Sequence, residues 1–217
     1  MELVDSLEDD NEAPEGRYSV GYSQGYYGGV ADESVWYGRA DRTALRTQRS
    51  STDRSFLGSH SELIAQGHAL FAQGNFADAA ERFRDAAIIY PDDPATKLGL
   101  GQAAFAAGRY KLAAFALRRA VLLDSSIVSE KSALTDIAVT DMWKGETVVR
   151  RHLALLDTAI ENAGGGDVDL LFLKGFYALA TKDTVASHKA LSDVLTIDPE
   201  DDASVALLKA ATVHAER

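Results

Sequence analysis

The chain has 217 residues, 46% of them apolar, and its 22 basic against 33 acidic side chains give a formal net charge of -11. That is enough apolar material for one or two compact units and too much for wholesale disorder. The acidic balance argues against a duplex nucleic acid or a lipid headgroup as the main ligand, and the absence of cysteine excludes disulfides and thiolate metal sites.

Residues 1–16 hold seven acidic side chains and no basic one. No apolar run follows that would form a secretory h-region, and none anywhere approaches the roughly 18 residues of a membrane span. We expect a cytoplasmic protein with no membrane insertion. Next, Tyr18, Tyr22, Tyr26, Tyr27 and Tyr37 are interspersed with glycines from Gly16 to Gly38. Ordering such a stretch is entropically expensive, so residues 1–58 are expected to be a disordered or loosely packed N-terminal segment. Within it, Arg39, Arg42, Arg46 and Arg49 fall at helical spacing and would form a strip for electrostatic docking on an acidic surface or partner. Tyrosines beside arginines could also stack on single-stranded bases, but the acidic body of the chain disfavours nucleic acid.

From Ser59 onward the pattern is helical. The periodicity predicts helices over about 61–73, 76–90, 95–107, 110–123, 127–142, 146–162, 168–180, 184–197 and 202–213. The breaks are Pro91 and Pro94, Asp124 to Ser126, Trp143 to Gly145, Gly164 to Gly166, and Asp198–Pro199. No stretch alternates strictly enough for a half-buried strand, so the class is all-α.

Gly67/Gly101, Gly74/Gly108, Phe76/Tyr110, Ala79/Ala113, Phe83/Leu117 and Ala86/Ala120 are each separated by 34 residues. Two antiparallel helices joined by a tight turn cross closely only where small residues stand at the crossing. Gly67, Ala79 and Ala86 supply them in the first copy, and Gly101, Ala113 and Ala120 in the second. Gly74 and Gly108 end the preceding helices, where a left-handed turn costs glycine least. A weaker copy lies 108 residues past the first: Gly175, Leu191 and Pro199 match Gly67, Phe83 and Pro91, while Lys182 and Ser187 replace the turn glycine and the first alanine.

This pattern resembles the tetratricopeptide repeat family. The resemblance implies a right-handed α-solenoid of antiparallel helix pairs over residues 59–217. It would comprise two clear repeats, a divergent pair over 127–162, the weaker copy and a C-terminal capping helix, about four pairs and a cap. It further implies a concave groove lined by the first helix of each pair, with Ile64, His68 and Phe71, then Leu98, Gln102 and Phe105, then Phe172 and Phe176. Ile64 and Leu98 stand where members that grip a C-terminal carboxylate carry lysine, and His68 and Gln102 where they carry asparagine. The expected groove is therefore apolar, suited to a peptide or helix. The competing reading buries several of these phenylalanines in the superhelix core.

Nothing in the chain suggests catalysis. His60, His68, His152, His188 and His214 are too widely spaced to pair along a helix, and the acidic clusters sit at turns, where they cap helices. The glycine runs lack the Lys-Ser or Lys-Thr of a phosphate loop. The expectation is a non-enzyme without cofactor or metal, a protein-interaction module binding a protein or peptide partner. The alternative is a self-associating structural protein, a homo-oligomer whose groove is filled by its own N-terminal segment or by another copy.

Overall fold

A computed structural model describes residues 59–124, 127, 142–143 and 146–215. The N-terminal segment with its arginine strip, and most of the helix expected over 127–142, lie outside the described residues. The chain divides into two units, Met1–Arg42 and Thr43–Arg217, and the described residues all belong to the second.

Local chemistry starts each repeat at the same phase. Ser59 and Glu62 form a reciprocal cap: the Ser59 hydroxyl accepts the Glu62 N–H at 3.3 Å, and the Glu62 carboxylate accepts the Ser59 N–H at 2.8 Å. Helix α1 (His60–Ala72) follows, then α2 (Phe76–Ile89). At the position 34 residues after Ser59, the Asp93 carboxylate accepts the Thr96 N–H at 3.0 Å and opens α3 (Pro94–Ala106), ahead of α4 (Tyr110–Leu123). Further on come α5 (Glu146–Asn162), α6 (Val168–Ala180), α7 (Thr184–Ile197) and α8 (Asp202–Ala215). Asp167 and Asp201, again 34 residues apart, cap α6 and α8 by accepting the N–H groups of Leu170 at 3.1 Å and Ser204 at 3.0 Å. The described residues contain no strand, and the class is all-α, a helical repeat array of tetratricopeptide type.

The turn inside each pair is built the same way three times. Gly74 N–H donates to the Phe71 carbonyl at 2.9 Å, Gly108 to Phe105 at 3.0 Å and Lys182 to Leu179 at 3.0 Å. All three residues are left-handed, with φ of 83°, 74° and 63°. Lysine holds a conformation that glycine adopts without penalty, so Lys182→Gly is expected to raise stability by up to about 1 kcal/mol, read as a higher urea midpoint.

Helix crossings are as tight as the small residues imply. A β-carbon on Gly101 would come within 2.5 Å of Leu117, and one on Gly175 within 2.5 Å of Leu191. Phe83 serves two crossings at once, since a β-carbon on Gly67 would meet its ring at 2.8 Å and one on Gly99 at 2.6 Å. Ser187, at the place of Ala79, satisfies its buried hydroxyl by donating to the Gly175 carbonyl across the crossing at 2.9 Å.

The order of stacking differs from the expected one. Helix α2 packs on α3, α4 packs directly on α6, and α7 packs on α8. Among the described residues, α6 and α7 continue the stack from α4, and α5 lies against α6; the other helix of the expected divergent pair lies outside the described residues. Arg118 of α4 makes the direct junction. Its Nε donates to Asp201 Oδ2 at 2.8 Å, its Nη1 donates to Asp169, its Nη2 donates to the Val168 carbonyl at 3.3 Å, and its guanidinium lies 4.3 Å from the centre of the Phe172 ring. In α8 the place held by Gly67, Gly101 and Gly175 is taken by Lys209, which is exposed. No helix among the described residues is long and apolar enough to cross a membrane.

Candidate interaction site

The first helices of the three pairs, α1, α3 and α6, each contribute a side chain to one place, and Trp143 fills it. The indole is 1% exposed. Its Nε1–H donates to Gln102 Oε1 at 3.0 Å, which settles the polar edge that a buried tryptophan must satisfy. Phe71 of α1 meets the indole edge-on with centroids 5.1 Å apart, Phe105 of α3 lies at 5.9 Å, and Tyr177 of α6 at 6.2 Å. Phe105 and Tyr177 stack on each other at 4.0 Å, so α3 and α6 join through their rings. Phe76, at the start of α2, and His152 of α5 close the remaining sides at 6.3 and 5.2 Å.

The positions named from sequence separate into three groups. Phe71, Gln102 and Phe105, at 3%, 2% and 1% exposure, are brought together, and what they line is occupied by the chain's own Trp143. Ile64 and Leu98 are half-buried and His68 is exposed, on the same helical faces as Phe71 and Phe105 by their spacing. Phe172 and Phe176 are buried, the first under Arg118 and the second against Tyr177 at 5.3 Å. These two sit in packing between elements and offer no open surface. Trp143, Tyr177, Phe76 and His152 were not expected at this site from sequence. The available signal was a lone tryptophan in the one segment whose small residues fall off register.

Two imidazoles here are partly desolvated, His68 through its edge-on contact with the Phe83 ring at 5.2 Å although much of it is exposed, and the half-buried His152. The imidazoles of His68 and His152 are held below the ordinary histidine value by desolvation, and the nearby Arg151 charge adds to the effect at His152. Desolvation also pushes the Tyr177 hydroxyl well above its usual range. Both histidines bind protons less readily folded than unfolded, so their contribution to stability is fully present above the ordinary value of 6.5. It is lost as pH falls through their lowered folded-state values. The urea midpoint is expected to drop between pH 7.5 and pH 5, and His152→Gln to make that drop shallower. Among the described residues, no group of three His, Asp or Glu side chains is placed to hold a metal ion.

The family model described as tetratricopeptide repeat matches residues 64–126, which covers most of α1 through all of α4. No curated protein matches the chain. Repeats of this family generally serve as protein-interaction modules and are typically non-catalytic. The 34-residue period, the glycine crossings and the left-handed turns of α1 to α4 agree with that match, and residues 64–126 are similar to the tetratricopeptide repeat family.

Proposed function

We propose that the repeat array is a non-catalytic module that binds a peptide or helix of a protein partner on the face shared by α1, α3 and α6. The observation that supports this reading is the convergence of three first helices on a single large side chain, with aromatic walls and one polar contact. Aromatic anchors in desolvated pockets carry most of the binding energy of such complexes. Ile64, His68 and Leu98 extend the same faces and would form the accessible part of the site. Lys209 at the crossing place of α8 fits a helix that caps the array toward solvent.

A random peptide library displayed against the full chain tests the proposal. Selected peptides should be rich in aromatic and apolar residues, and Ile64→Glu with Leu98→Glu should abolish their binding while the helical signal persists. Selection of nothing, or of peptides indifferent to those substitutions, would reject the module. The strip of Arg39, Arg42, Arg46 and Arg49 is proposed as an accessory electrostatic contact. Its contribution should fade as salt is raised, whereas the aromatic contact should not. Self-association remains the alternative, and light scattering that rises in mass with concentration would favour it.

A further inference from the structure

We infer that Trp143 is an exchangeable, built-in occupant of this site, and that the partner segment it stands in for carries a tryptophan. The inference rests on the proposed interaction role and specifies its ligand. Three features of the molecule support it.

The junctions between the pairs have contacts of their own beside Trp143. Helix α4 packs directly on α6, Arg118 ties α4 to Asp169 and Asp201, and Phe105 stacks on Tyr177, so the junctions between pairs do not rest on the indole alone. Trp143 also lies in the sequence between the second and third pairs, outside the described helices of either. It lies on the row of first helices, touching α1, α3 and α6 in turn, which is where a ligand of such an array would rest.

The site is also selective. Rings of Phe71, Phe76, Phe105 and Tyr177 surround a flat aromatic, and the Gln102 carbonyl oxygen, buried with its side chain, accepts one N–H. A phenylalanine or leucine in the same place would leave that oxygen unpaired, and a site built to hydrogen-bond its ligand rejects the analogue that lacks the group. Because Trp143 holds the site closed, a partner binds only the open fraction, and its apparent affinity is reduced by that fraction. Trp143 thus acts as an autoinhibitory contact on an indole pocket.

The test uses the full chain with Trp36→Phe, which leaves Trp143 as its single tryptophan. Hydrogen exchange followed by NMR compares the Trp143 indole N–H with the amides of Leu100 and Ala103 in α3. An exchangeable occupant should exchange through local opening, with protection at least about tenfold lower than those amides. Equal protection would make Trp143 permanent core and overturn the inference. In the same background, Trp143→Ala should bind N-acetyl-tryptophanamide by calorimetry, bind its 1-methyl-indole analogue at least about tenfold more weakly, and ignore N-acetyl-leucinamide.

A folded variant that does not bind the tryptophan amide, or that binds all three probes alike, would also overturn it. Should the variant not fold, the exchange measurement decides alone. Peptides from the display selection should bind Trp143→Ala at least about tenfold more tightly than the chain that retains Trp143. Equal affinity sinks the exchange and leaves the interaction module standing, whereas a selection that yields no peptide sinks the module itself.

Discussion

Phe83→Ala is expected to lower stability by about 3–5 kcal/mol, the range for removing a fully buried aromatic from a core. The ring is fully buried and fits against two glycines on different helices, Gly67 of α1 and Gly99 of α3. Its loss opens both the crossing within the first pair and the junction to the second. Neither glycine has a side chain that could relax into the space, so the cavity should persist. Urea denaturation followed by circular dichroism measures the change. Phe83→Leu, the residue type found at the matching positions 117 and 191, should cost less than half as much. A Phe83→Ala midpoint close to that of the unaltered chain would show that the ring is not what fits the two pairs together.

Arg118→Ala is expected to cost about 3 kcal/mol, at the lower end of the range for breaking a buried ion pair by removing one partner. Arg118 is itself partly exposed, but its partner Asp201 is buried, so the loss takes from Asp201 and Asp169 the cation they share. Phe172 loses its cover as well. In a repeat array each unit is stabilised mainly by its neighbours. The damage should therefore be regional: hydrogen exchange should accelerate through α6, α7 and α8 while α1 and α2 keep their protection. Arg118→Lys retains the charge without the planar fork and should recover only part of the loss. Adding Asp201→Asn to Arg118→Ala should recover some of it by removing the unpaired charge. Uniform loosening of all the helices would show that α4 and α6 are not joined through this residue.

The two substitutions act at different ranges in sequence, and that difference bears on what could be read beforehand. Phe83 lies within one repeat of the glycines it packs against, and a fixed period exposes such a relationship directly. Gly99 nevertheless escaped notice because it lies outside the aligned positions, though it touches the same ring. Arg118 reaches residues 51 and 83 positions away, and nothing local marks it as different from its neighbour Arg119. The groove residues divide along the same line. The resemblance put Phe71, Gln102 and Phe105 on the groove side of successive first helices, and they do meet around one place. That the place is already filled depended on a segment whose own pattern was the least regular in the repeat region.

Helix identities and ends were legible because they depend on neighbours in the chain: caps at Ser59, Asp93, Asp167 and Asp201, left-handed turns at Gly74 and Gly108, and prolines that cannot continue a ladder. The bounds of α4, α5, α6 and α7 coincide with those expected from periodicity, and those of α1, α2 and α3 differ by one residue at their ends. The all-α class and the close crossings follow from the same local rules, since a small residue recurring at an interval of 34 residues permits close contact wherever the pairs stack.

Which pair stacks on which was decided only in three dimensions. The stretch between the second and third pairs reads as helical and amphipathic, as the repeats do, and helical periodicity alone carries no instruction about its neighbour. Its described helix α5 does not come between α4 and α6, because α4, through Arg118, is complementary to α6 and the start of α8. Trp143 was settled in the same way. Its burial comes from α1, α3, α5 and α6 arriving at one point, and the free energy of that contact exists only once those distant segments are already in place.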